Sequence, residues 1–98
     1  MIFRHPKAIK QLLERGEVAT LRNYPYKPNT YVRIKIIQGG KTRYYKGYIW
    51  NVIENPNDAI LSLYAKVSGF DNSVEWLLEA IKLHGKKPRY LVYLWLVE

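Results

Sequence analysis

The chain has 98 residues, 48% apolar and 24% charged, the size and balance of one domain, 1–98, with a single modest core. It contains no cysteine, which excludes disulfides and thiolate zinc sites, and no apolar run long enough for a membrane span. The net charge of +8 is uneven: residues 1–50 hold eleven Lys/Arg against Glu14 and Glu17, a net of +9, whereas residues 51–98 hold five against six acids, a net of −1.

Met1–Arg4 reads as a short strand or lead-in. His5-Pro6 opens a helix, with Pro6 suited to its first turn; Ile9, Leu12 and Leu13 recur at helical spacing and Gly16 stops it. Val18–Asn23 is the first clear strand, and Tyr24–Asn29, with two prolines, is a loop. Thr30–Gln38 alternates cleanly: Val32, Ile34 and Ile36 face inward, Tyr31, Arg33 and Lys35 outward. Gly39-Gly40 signals a hairpin, and Thr42–Glu54 returns as a long aromatic strand in which Gly47 is expected to mark a bulge or bend. Asn55-Pro56-Asn57 breaks the strand. Asp58–Val67 is a short helix with Ile60, Leu61 and Tyr64 on one side, and Ser68-Gly69-Phe70 is a turn. Asn72 to Glu75 fits a capping box, and Val74, Leu77, Leu78 and Ile81 form the expected buried stripe of a further helix ending at Gly85. Arg89–Val97 is apolar on both faces, hence a central strand, and Trp76 and Trp95 are expected in the core.

The order β-α-β-β-β-α-α-β predicts an α+β domain with a curled, mostly antiparallel sheet or small open barrel and helices packed on it. The charge asymmetry points to a basic face for a polyanion. Glutamate does not rise with lysine, which sets this pattern apart from the charge balance of heat-stable proteins. The Lys- and Tyr-rich, cysteine-free composition still hints at a thermophilic source.

Between residues 24 and 50, seven aromatics interleave with six Lys/Arg, a mixture suited to RNA, whose bases stack on rings while cations hold phosphates. Candidate binding residues are Thr20 and Arg22 on one face of the first strand, Tyr24, Tyr26 and Lys27 in the loop, and Arg33, Lys35, Arg43, Tyr45 and Lys46 on the hairpin. The alternative for Tyr44, Tyr48 and Trp50 is packing in the core or pairing across strands. Crowding Arg33, Lys35, Lys41, Arg43 and Lys46 on one hairpin costs stability, which a polyanion would relieve. His5 and His84 lie far apart with no obvious carboxylate cluster, so no metal and no cofactor are expected. The N-terminus carries no signal-peptide pattern, and the expectation is a soluble cytoplasmic protein.

Several local motifs, in order, resemble the ASCH domain, a branch of the PUA-like fold. They are Leu12-Leu13-Glu14-Arg15-Gly16, Thr20-Leu21-Arg22, Tyr26-Lys27-Pro28-Asn29, Lys46-Gly47, Ser68-Gly69-Phe70, Ser73-Val74-Glu75 and Tyr90-Leu91-Val92-Tyr93, and they cover nearly the whole chain. The resemblance implies a PUA-like curled mixed β-sheet or open barrel. It also implies kinship with acetylcytidine amidohydrolases and a ribonuclease. The amidohydrolases use a lysine, a threonine and a glutamate. Carried over, the threonine falls on Thr20 and the family arginine on Arg22; the lysine falls on Glu17 or Gly16, and the glutamate near Ser68. Two of three catalytic groups are then missing, leaving Thr20 and Glu17 as the only catalytic candidates.

The expectation is an RNA-binding module with a basic, aromatic cleft and without catalysis. The alternatives are a hydrolase acting on a modified nucleoside or on RNA, and a protein-interaction regulator of transcription or translation using the aromatic hairpin. The sequence leaves the oligomeric state open.

Overall fold

The computed structural model describes residues 1–97. In chain order the elements are β1 (Ile2–Phe3), α1 (Pro6–Arg15), β2 (Glu17–Arg22), β3 (Thr30–Gln38), β4 (Lys41–Glu54), α2 (Asp58–Tyr64), a 3₁₀ turn (Ala65–Val67), α3 (Ser73–His84) and β5 (Tyr90–Leu96). The strands form one mixed sheet in the order β1-β3-β4-β5-β2, parallel only between β1 and β3. It curls into a half-barrel with β1 and β2 as its two edges. No helix among the described residues is long and apolar enough to cross a membrane.

Local chemistry sets the element ends. His5 caps α1 by accepting the Lys7 N–H on Nδ1 at 3.2 Å, and Gly16 closes the helix with its N–H on the Leu12 carbonyl. Asn57 and Asn72 cap α2 and α3 through their side-chain oxygens, each at 2.9 Å. Glu75 completes the start of α3 by accepting from the Asp71 N–H, one residue before the expected partner.

Two clusters of apolar side chains sit on opposite faces of the sheet. The concave side buries Ile34, Ile36, Ile49, Val92, Leu94, Val18 and Phe3 against Ala8, Ile9 and Leu12 of α1. The convex side of the β2–β5 half buries Ala19, Leu21 and Leu91 against Leu61, Ala65, Trp76 and Ala80. Each fully buried Leu or Ile contributes ~1.5–3 kcal/mol. A surface ion pair such as Arg89–Glu54 is worth ~0–1 kcal/mol, so apolar packing, not ion pairing, holds the helices on the sheet.

Four expectations are corrected. The β-bulge lies between Ile49 and Asn51, not at Gly47. Gly47 is instead a close approach on the central strand: a Cβ there would sit 2.6 Å from Ile34 Cδ1 and 3.2 Å from Leu94 Cδ1. The Asp58–Val67 helix tightens into 3₁₀ geometry after Tyr64. On α3 the buried residues are Trp76 and Ala80, one turn apart, while Val74 and Leu78 are exposed. The Ala80 methyl lets the helix approach the sheet, and Trp76 fills the space beside it; the more numerous aliphatic positions lose to this large–small pair. Trp95 is 44% exposed because odd residues at this end of β5 face the convex side beyond the reach of the helices.

Candidate functional site

The sheet does not close, and its open seam is where chemistry gathers. Edge strand β2 pairs only with β5, so one row of its peptide groups faces away from the sheet. The Glu17 carbonyl accepts from Gln11 Nε2 at 3.1 Å and the Leu21 carbonyl meets His84 Nε2 at 3.2 Å. Odd residues thus aim their peptide groups outward, and Ala19 between them presents its N–H and C=O to the seam. A cleft of about 280 Å³ runs along this edge, lined by β1, the N-terminus of α1, β2, the Ser68–Phe70 turn and α3. Its walls are largely apolar, from Phe3, Phe70, Trp76 and Leu83, and its polar groups include Arg22, Arg4, Thr20, His5, His84 and Glu79.

Arg22 bridges the seam. Its Nε donates to Thr20 Oγ1 at 3.1 Å, one NH1 hydrogen donates to the Ile2 carbonyl at 2.8 Å, and its Cζ lies 4.6 Å from the Phe3 ring centroid. Burial draws the guanidinium below its ordinary value, and nearby Tyr26 opposes that effect. Arginine nonetheless stays charged at neutral pH. Among the described residues no carboxylate forms an ion pair with it. The acid of the cleft, Glu79, is engaged elsewhere, 3.6 Å from His5 Nε2 and 3.5 Å from Lys82 Nζ. A guanidinium carries five N–H donors, and two are used here. The site therefore offers a half-buried, planar cation with donors to spare.

The two histidines, 79 positions apart in the chain, line the same cleft. His5 packs its ring edge-on to Phe70 at 4.7 Å. That Phe70 is held by a buried turn: Ser68 Oγ donates to the Ala65 carbonyl at 2.7 Å and accepts the Phe70 N–H at 3.1 Å. Gly69, at φ +92, lies against the Lys7 carbonyl, where no Cβ fits. Since a carbonyl only accepts, His84 carries its proton on Nε2; since His5 Nδ1 accepts from Lys7, its proton lies on Nε2, toward Glu79. Neither histidine is marked in the sequence by spacing or neighbours, so only the tertiary structure brings them to Arg22. Among the described residues no group of three or more His, Cys, Asp or Glu could hold a metal ion.

The remaining candidates fall in three places. Tyr24 and Tyr26 pack against each other at 4.7 Å in the loop after β2; Tyr24 is exposed and Tyr26 is half-buried against the concave core. Lys27 is exposed in the same loop. On the hairpin, Arg33 pairs directly with Lys46 and Lys35 with Tyr44, so these cations share the convex face. Arg43 and Tyr45 pair with Ile36 and Ile34, which puts them on the concave side; Tyr45 packs against the core there. Glu17 and Thr20 stand on opposite faces of β2, and Glu17 accepts from the Tyr93 hydroxyl at 3.2 Å. Glu17 therefore cannot take a proton from Thr20.

The convex face holds more than the sequence reading assigned to it. Tyr31, Tyr48, Trp50 and Trp95 form a continuous edge-to-face row with centroid separations of 5.0, 4.7 and 4.9 Å. Arg33 lies 4.4 Å from the Tyr44 ring and Lys46 4.4 Å from the Tyr31 ring. The opposed cations thus turn to diagonal rings instead of facing one another.

No family model, no curated protein and no solved structure matches the chain.

Proposed function

We propose that the chain is an RNA-binding domain of PUA-like fold in the ASCH branch, with the seam cleft as its reading site. The observation that carries this reading is Arg22: a half-buried guanidinium with no carboxylate partner among the described residues, beside an unpaired strand edge and between aromatic walls. A half-buried cation of this kind loses part of its hydration, and an anionic or strongly polar group in the cleft would replace it. Paired donors suit a phosphate or the carbonyl edge of a base. The Ala19 peptide edge supplies one donor and one acceptor beside it, the arrangement that recognises a base by its hydrogen-bonding edge.

The volume of about 280 Å³ suits one base-sized group and not a folded strand. The ligand would enter as a single unpaired base, with Tyr24, Tyr26 and Lys27 at the adjoining loop and with Lys27 and Arg43, the latter on the concave side of the hairpin, holding backbone phosphates. Binding without chemistry is favoured because the Thr20 hydroxyl accepts from Arg22, which cannot act as a base, and Glu17 lies on the other face of β2.

The test is titration of the protein into labelled single-stranded RNA, duplex RNA and duplex DNA at two salt concentrations, with Arg22→Ala beside the wild type. The expected result is a preference for single-stranded RNA that falls with Arg22→Ala. Each phosphate held should add about −0.7 to the slope of log K against log salt. A flat salt dependence, or Arg22→Ala binding as well as the wild type, would overturn the reading.

A further inference from the structure

The helices cover only half of the convex face. They end at Tyr64, whose ring lies 5.7 Å from Tyr93 and whose hydroxyl accepts from Asn51 Nδ2 at 3.3 Å. Beyond that border the sheet is bare, and its side chains are not the small polar ones of an ordinary solvated strand. Tyr31 is 65% exposed, and Trp50 and Trp95 are each 44% exposed. The edge-to-face pairs between these rings add ~0.5–1.5 kcal/mol each to folding, yet a large part of each ring still faces water. The β-bulge between Ile49 and Asn51 adds an extra residue, Trp50, to the row on this face.

We infer that this uncovered face of β3, β4 and β5 is a stacking platform for single-stranded nucleic acid, separate from the seam cleft. The inference rests on the RNA-binding reading and extends it to a second surface. Three features select this occupant. The rings stand in a row across adjacent strands, and bases of an unpaired strand stack on such a row whatever their sequence. Arg33, Lys35 and Lys46 flank the rings, and among the described residues none of them forms an ion pair with a carboxylate. The acid at the border, Glu17, is bonded by the Tyr93 hydroxyl. The cations along the row outnumber the acid at its border, and a phosphate backbone meets that surplus with attraction. Arg33 already lies on Tyr44, so its outer plane can take a base as a further layer.

The face carries its own reporters. Of the three tryptophans, Trp50 and Trp95 are in the row, whereas Trp76 is 2% exposed in the core. Oligouridine and oligothymidine of about 12 nucleotides, within the span of known single-strand sites, are titrated while tryptophan emission is followed. The wild type should be quenched, and the Trp50→Phe/Trp95→Phe variant, which keeps only Trp76, should not. Trp50→Ala/Trp95→Ala should bind about tenfold or more weakly, the scale of losing one base–ring stack. Arg33→Glu/Lys46→Glu keeps all four rings and should bind more weakly with a shallower salt dependence, which holds the test open if the ring variant does not fold. Unchanged affinity in both alanine and charge-reversal variants overturns the platform. If only Arg22→Ala loses binding, the cleft reading stands and the platform falls; if only the convex-face variants lose binding, the platform stands without the cleft. Absence of oligonucleotide binding by the wild type overturns both. A wild-type dimer that Trp95→Ala makes monomeric would instead assign the face to self-association and also overturn the proposal.

Discussion

Replacing Gly47 by alanine tests whether the central strand is built on close approach. The φ of Gly47 lies outside the left-handed region, so alanine meets no backbone strain. Its gain over glycine in a strand interior is ~0.5–1 kcal/mol. Against that, the new methyl would stand 2.6 Å from Ile34 Cδ1 and 3.2 Å from both Leu94 Cδ1 and the Trp95 carbonyl oxygen. Ile34 and Leu94 are both fully buried, so their terminal methyls can give way only by turning within the packed core. Overpacking of this kind costs ~1–3 kcal/mol, so the net expectation is a loss of about 1–2 kcal/mol. At ~4–8 °C per kcal/mol for a domain of this size, Tm should fall by about 5–15 °C, read by circular dichroism with urea unfolding as the second measurement. The decisive variant adds Ile34→Val, which deletes the Cδ1 atom in the way. Alone it should cost ~0.5–1.5 kcal/mol. Together the two should cost less than their sum by about 1 kcal/mol, well outside the ~0.3–0.5 kcal/mol scatter of independent sites. An unchanged Tm for Gly47→Ala, or additive costs in the double variant, would refute the close-approach account.

Arg22→Lys keeps the charge but not the planar fork across the seam, so it should lose RNA affinity nearly as far as Arg22→Ala in the same titration. Asn72→Ala removes the oxygen that accepts the Glu75 N–H and should cost ~1 kcal/mol in urea unfolding. The Lys7–Glu75 pair predicts a pH dependence. The Lys7 hydrogen bond and the Asp71 N–H lower the Glu75 carboxyl below its ordinary 4.5, so its contribution is present above that value and is lost as pH falls through the lower, folded-state value. Glu75→Gln should flatten the acid limb of the stability profile below about pH 4.5, and an unchanged acid limb would remove the pair from the account. Lys7, raised mainly by its hydrogen bond to Glu75, keeps its contribution below 10.5 and loses it only at more alkaline pH.

The strand and helix order was legible because each signal is local. Alternation in Thr30–Gln38, the Gly39-Gly40 turn, and the Asn57 and Asn72 caps each act within a few residues, and the structure keeps them. The curled mixed sheet also followed, since those elements have few other ways to bury their apolar faces. The pairing of Thr20 with Arg22 on one face of a strand was visible for the same reason: period two is a property of the backbone.

What the chain order hides is contact between distant segments. Gly47 looked like a bulge because a lone glycine in a strand carries no record of Ile34 and Leu94 crossing beside it. The buried stripe of α3 departs from the aliphatic spacing because Trp76 and Ala80 are paired by the shape of the sheet opposite, not by hydrophobicity along the helix. An apolar run such as that around Trp95 carries no mark of where the covering helices end. His5, His84 and Phe70 join Arg22 only when the sheet curls and its two edges approach. Sequence by itself determined which residues form strands and helices and which side chains share a strand face, because those depend on neighbours a few positions away. The tertiary structure alone decided that an arginine would sit half-buried in the seam with no carboxylate partner among the described residues, and that four aromatic rings would line up on an uncovered face, because both depend on which surfaces the packing of distant elements leaves open.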